Sequence, residues 1–186
     1  MDVAKKIGDL IQSQWSLTNV TICTYQRQQG CQTVHVDVNA TVPNMTIKYD
    51  EFDPKSPLLQ ILLENFPARS TWIISGMYKM EHRVRITIYQ KLIQYQPLSF
   101  TLCSEISCID VYRAIWYAVK QEIDKILIKN KFNIYELNNL ILGTWTDRLP
   151  TIALGRGTKT TKEPIVWTSE LDITTIYYQN ETLEVE

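Results

Sequence analysis

The chain lacks most of the features that announce a function. It has two histidines, His35 and His82, and four cysteines in 186 residues. Cys23 and Cys31 stand as Cys-x7-Cys, and Cys103 and Cys108 as Cys-x4-Cys. Neither is a zinc spacing, and no histidine is near enough in sequence to complete a ligand set. The expectation is free thiols, no metal and no cofactor, with a Cys23–Cys31 disulfide open to it under oxidising conditions. No run of about 18 apolar residues occurs, which excludes a transmembrane helix, and no membrane partner is expected. Neither sign of charge dominates: 19 Lys and Arg stand against 20 Asp and Glu, for a net charge of −1. That balance argues against a dedicated nucleic-acid binder, though not against a local basic patch. Internal repeats and low-complexity tracts are missing too. The start, Met1-Asp2-Val3-Ala4-Lys5-Lys6, has no apolar stretch of the signal-peptide kind, so the expected setting is the inside of a cell. Four Asn-x-Ser/Thr sequons, at Asn19, Asn39, Asn44 and Asn180, read as chance in a Thr-rich chain.

What is there is a foldable body. Hydrophobic residues make up 45% and charged residues 21%, enough for an ordinary core. The length suits a single domain, placed over 1–178, followed by an acidic tail over 179–186. Residues 2–16 predict a helix, because Val3, Ile7, Leu10, Ile11 and Trp15 share one face and Asp2 suits the N-cap. The polar stretch 17–32, rich in Gln and Arg around Gly30, reads as an irregular loop. Val34, Val36 and Val38 alternate as in a half-buried strand, and residues 45–49 form a short strand after the Pro43-Asn44 turn. Residues 58–66 are either a short helix or a buried strand, since periodicity does not separate the two.

Residues 71–78 and 83–95 predict a hairpin. In its second strand Val84, Ile86 and Ile88 face one way, and Arg83, Arg85, Thr87 and Tyr89 the other. Ser107 then reads as the cap of a long helix near 108–130. Its stripe is Ile109, Tyr112, Ile115, Trp116, Val119, Ile123, Ile126 and Leu127, opposite Arg113, Lys120, Gln121, Asp124 and Lys125. Such a helix spans about 30 Å, enough to cross a small sheet. Strands at 144–154 and 165–178 follow, the second with Ile165, Trp167, Leu171, Ile173 and Tyr177 inward. The fold class is therefore α+β: an antiparallel or mixed sheet with an N-terminal helix and a long second helix packed on one face.

No residue pattern carries catalysis. His35 and Asp37 share a strand face, but two groups are too few for a metal centre. His82 reads as an exposed histidine beside a turn. Asp50, Glu51 and Asp53 precede Pro54 and read as turn formers rather than a carboxylate site. An enzyme would need groups such as Asp37, Asp50, Glu51 and His82 to converge in the fold. Gly155-Arg156-Gly157-Thr158-Lys159-Thr160 has the wrong spacing for a phosphate loop and precedes a strand rather than a helix. It leaves a hairpin loop with Arg156, Lys159 and Lys162 against Glu163. Such a loop can touch DNA phosphates, order against a neighbouring subunit, or stay solvated. Arg83, Arg85 and Tyr89 on one strand face suit a protein interface, an ordinary polar face, or nucleic acid bound by charge and stacking.

The order of elements resembles that of the tail-terminator and tail-completion proteins of tailed viruses. The segments that carry the resemblance are Val3-Ala4-Lys5-Lys6-Ile7-Gly8-Asp9-Leu10-Ile11, then Tyr112-Arg113-Ala114-Ile115 and Glu122-Ile123-Asp124-Lys125-Ile126-Leu127. Gly143-Thr144-Trp145 and residues 173–178 complete it. The stretches 17–32 and 51–70 match nothing in that pattern. The resemblance implies a non-enzymatic virion protein assembled in the host cytoplasm: a homo-oligomeric, hexameric ring in the neck, between tail tube and head connector. Genomic DNA would pass through its lumen without sequence-specific binding. The alternative function is a cellular α/β nucleic-acid-binding module using Arg83, Arg85, Arg156 and Lys159.

Overall fold

The computed structural model describes residues 2–23, 31–35, 45–49, 59–74, 76–92, 105–131, 140–148 and 165–180. The chain runs α1 (Val3–Gln14), β1 (Asn19–Cys23), β2 (Cys31–His35), β3 (Met45–Tyr49), β4 (Leu59–Asn65), β5 (Arg69–Ile74) and β6 (Met77–Leu92). It continues through α2 (Glu105–Lys129), β7 (Leu140–Leu142), β8 (Thr146–Arg148) and β9 (Ile165–Asn180). The fold is α+β. β6 and β9 are 16 residues each and pair antiparallel along their whole length, from Met77 opposite Asn180 to Leu92 opposite Ile165. On the free flank of β6 lie β4, opposite residues 84–90, and β5, opposite residues 77–81. On the free flank of β9 lie β7 and β8. β3 joins β4 in parallel, which makes the sheet mixed.

Alternation along this spine makes the core. Val84, Ile86 and Ile88 of β6 share a face with Trp167, Leu171 and Ile173 of β9 and with Leu59, Ile61 and Leu63 of β4, and all are buried. The two helices cover that face. Val3, Ala4, Ile7 and Ile11 of α1 and Ile115, Trp116, Val119, Ile123, Ile126 and Leu127 of α2 join the strand residues in one cluster. Trp116 meets Trp167 edge to face, with ring centroids 6.1 Å apart, a geometry the ring quadrupoles favour. α1 begins where Asp2 accepts a hydrogen bond from the Lys5 amide at 3.0 Å. That bond holds the Asp2 carboxyl below its ordinary value. The helices are also clamped to each other. Glu122 accepts from the Ser16 amide at 2.8 Å and from the Ser16 hydroxyl at 2.6 Å, while Gln14 and Asn130 exchange amide hydrogen bonds.

Four expectations need correction, and the choice left open at 58–66 is resolved as a strand. The stretch 17–32 is not all loop: β1 and β2 pair antiparallel within it, with Cys23 opposite Cys31. Val20, Thr21 and Ile22 are β-formers, and the Gln-rich residues beyond them outweighed this short signal. Residues 59–65 are a strand whose pattern is buried on both sides, which is why neither period shows in it. Gln60, Leu62 and Thr87, turned away from the helices, are buried as well. The hairpin turns at Gly76, where φ is 76°, and not near His82, so its second strand starts six residues earlier than expected. α2 begins at Glu105, which leaves Ser107 inside the helix rather than at its cap. β9 continues to Asn180, two residues into the expected tail.

Gly143 shows how closely β7 is drawn to β9. Its amide donates to the Asp172 carbonyl at 2.9 Å, and a Cβ built on it would lie 2.9 Å from that same oxygen. Backbone cannot yield there without breaking the strand pairing. Gly143→Ala is expected to cost about 1–3 kcal/mol, read as a lower midpoint in urea unfolding with an unchanged slope. A variant as stable as the parent would contradict the described approach of β7 to β9.

Candidate interaction surface

The sequence pointed to Arg83, Arg85 and Tyr89, and the structure does bring them to one face of β6, the face away from the helices. The same register places carboxylates beside them. Asp172 of β9 lies opposite Arg85, and Glu170 opposite Thr87. Arg85 Nε donates to Asp172 Oδ1 at 2.9 Å, and Arg83 Nη2 to Asp172 Oδ2 at 2.9 Å. Glu170 sits 3.5 Å from Arg85 Nη1 and 3.7 Å from Arg148 Nη2. Both guanidinium groups of β6 also lie over the Phe66 ring, at 5.8 Å for Arg83 and 5.2 Å for Arg85. The Arg85 hydrogen bond holds the Asp172 carboxyl below the ordinary carboxylate value. Burial raises the Tyr89 phenol, with the Glu64 charge adding to the effect. These arginines are therefore bound to partners within the chain and are not bare cations awaiting a phosphate.

Other expected groups fall elsewhere. Arg156, Lys159 and Lys162 lie outside the described residues, as do Asp37, Asp50 and Glu51. His82 is not an exposed residue beside a turn. It stands in mid-strand on the helix side of β6, with Nε2 3.1 Å from the Tyr177 hydroxyl and the two rings stacked 5.4 Å apart. Burial lowers its pKa. It therefore points away from Arg83 and Arg85, and no single site joins them.

Lys120 was expected on the solvated face of α2, yet it is buried. Its ammonium binds Asp147 of β8 at 2.8 and 3.0 Å and lies 5.4 Å from the Trp145 ring. Asp147 also accepts from the Ser169 hydroxyl. Burial raises the Asp147 carboxyl, but the Lys120 and Ser169 hydrogen bonds outweigh it and leave the net shift downward. Trp145 in turn donates to Asp124 at 2.8 Å. This chain of bonds ties the β7–β8 segment to α2, and each charged group in it has a partner.

Sequence reasoning missed the surface that the structure leaves most open. Trp72, Ile73 and Ile74 of β5, Met77 of β6 and Tyr178 of β9 are large apolar side chains exposed around one end of the spine. All six residues of β5 are exposed. The signal was present as the uncharged run Thr71-Trp72-Ile73-Ile74, but it read as an ordinary hairpin strand. Its exposure depends on where the helices end, which no local pattern records.

The ionic face makes a pH prediction. Asp172 and Asp147 both have folded values below the ordinary carboxylate value of 3.8. Their contribution to stability is complete above that value and is lost as pH falls toward and through the lower folded values. Urea midpoints measured down the acid range should fall in that window, and Asp172→Asn should flatten the fall. An identical acid limb in the variant would show that Asp172 is not held by the arginines. No protein-family model matches this chain, and no curated protein is significantly similar to it.

Proposed function

We propose that this protein is a structural subunit that works by self-association: a ring-forming tail-terminator or tail-completion component that joins tail tube to head connector in a tailed virus. The observation that carries the reading is the uncovered arm at the end of the sheet. Five large apolar side chains stand there in solvent, on strands rather than loops. Exposed apolar patches of this kind mark protein–protein contact sites. The order of elements supports the viral reading. A leading helix, short strands and a hairpin precede a long helix and the closing strands, as in the family that the chain resembles.

In this reading the subunit binds its own copies and the tube and connector proteins, in the virion neck after assembly in the host cytoplasm. Genomic DNA slides through the ring unread, and neither catalysis nor a membrane is involved. The nucleic-acid alternative is less well supported, because Arg83 and Arg85 are already engaged by Asp172 and Glu170.

The mass of the full chain in solution, measured by light scattering across a concentration series, tests the reading. The expected result is a closed oligomer, six copies by the resemblance, that co-sediments with tail tubes or connectors. A chain that stays monomeric at high concentration and binds neither would overturn it.

A further inference from the structure

β5 is an edge strand: among the described residues it pairs with β6 alone. From Thr71 to Ile74 it carries no charge, and Trp72 and Ile74 are 63% and 66% exposed. Edge strands are normally guarded by lysine, proline, an inward charge or a bulge, because open backbone groups recruit other strands. The register of β5 does slip between Trp72 and Ile74. The residue presented there is the apolar Ile73, so the slip does not make the edge polar.

The opposite flank of the sheet offers a matching edge. Among the described residues β7 pairs with β9 alone, and on its outer side the Leu140 amide donates to the Lys131 carbonyl at 3.4 Å. Its sequence Leu140-Ile141-Leu142 is also uncharged, and Ile141 is 52% exposed. The two edges stand at neighbouring levels of the sheet. Arg69 of β5 lies opposite Glu81, Glu81 opposite Ile176, and the next residue of β9, Thr175, opposite Leu140. β5 carries one charge, Arg69 at its start, and β7 carries none, so no pair of like charges opposes their meeting. One exposed edge on each flank, apolar at Trp72–Ile74 and at Ile141, gives a copy two different surfaces, which is what head-to-tail closure around a rotation needs. A twofold contact between β5 strands would use one edge and leave β7 bare.

We infer that β5 of one copy adds to the β7 edge of the next, so that the sheet continues across the subunit boundary and Ile74, which lies opposite Met77 on the face away from the helices, covers the neighbour's Ile141 on that same face. The inference rests on the self-association reading and names the surfaces that serve it. Strand addition supplies backbone hydrogen bonds, and the apolar side chains exclude water around them.

Two variants of the full chain test it, Ile74→Lys and Ile141→Lys. Both positions are exposed, so folding is checked by circular dichroism and thermal melting against the parent. Each variant alone should associate at least about tenfold more weakly than the parent. Mixed in equal amounts they should form a heterodimer and stop there, since one variant keeps an intact β7 and the other an intact β5. An Ile141→Lys variant that self-associates like the parent would overturn the inference in favour of contact between β5 strands. Assembly of both variants at parental strength would overturn it while leaving the self-association reading standing. A monomeric parent that binds neither tube nor connector removes both.

Discussion

The structure depends on one interaction, the antiparallel pairing of β6 with β9. Sixteen residues of each strand are in register. That register decides which residues face the helices and which do not, and every other strand of the large sheet attaches to one of these two or to β4. It also sets a length. At about 3.3 Å per residue the spine extends roughly 53 Å, whereas α2 with its 25 residues reaches only about 37 Å at 1.5 Å per residue. α1, with 12 residues, is shorter still. Neither helix can cover such a ribbon from end to end. Trp72, opposite Tyr78 on the helix side of the sheet, is exposed where that mismatch falls, while Ile74, Met77 and Tyr178 are exposed on the other face.

The same register disposes of the charge. Arg85 alone would look like part of a basic patch. Opposite Asp172 it becomes half of an ion pair, with Arg83 on the second carboxylate oxygen. Pairs this exposed contribute little to stability, typically about 0–1 kcal/mol each. Their larger effect is on binding: a polyanion would have to displace a carboxylate that the fold holds in place. The Lys120–Asp147 pair differs in kind, because the ammonium is buried while the carboxylate stays in reach of solvent. The cost of taking the Lys120 ammonium out of water is offset by its two bonds to Asp147, which the Ser169 hydroxyl helps to hold in place.

The fold class was readable because the strongest local signals agree with the tertiary outcome. Val84, Ile86 and Ile88 alternate, and the α2 stripe from Ile115 to Leu127 repeats every three or four residues; both patterns are buried where they point. The readings failed where burial is not one-sided or where a partner is remote. β4 hides both faces, so its periodicity is silent. Lys120 looks solvated until Asp147, 27 residues on, reaches it. Arg83 and Arg85 were correctly placed on one face, yet their neutralisation by Asp172, 89 and 87 residues away, is invisible to any local window. The arm was unreadable for the same reason: Trp72-Ile73-Ile74 looks like core until the ends of the helices are known.

The arm's position also bears on how it could bind. A segment that must become ordered on docking loses conformational freedom at that moment, and binding weakens by that amount. β5 and the adjoining part of β6 are already paired, and β6 continues without a break into the buried rows at Val84, Ile86 and Ile88. The direction of the arm is therefore held by the core, while its own side chains bury little within the subunit. Opening the arm would expose few core contacts, whereas bending it would require a break in the β6–β9 pairing. An edge already paired along one side, and uncharged from Thr71 to Ile74, can meet a partner with little further ordering. That combination suits a closed ring, where the angle between neighbouring copies must repeat accurately at every contact.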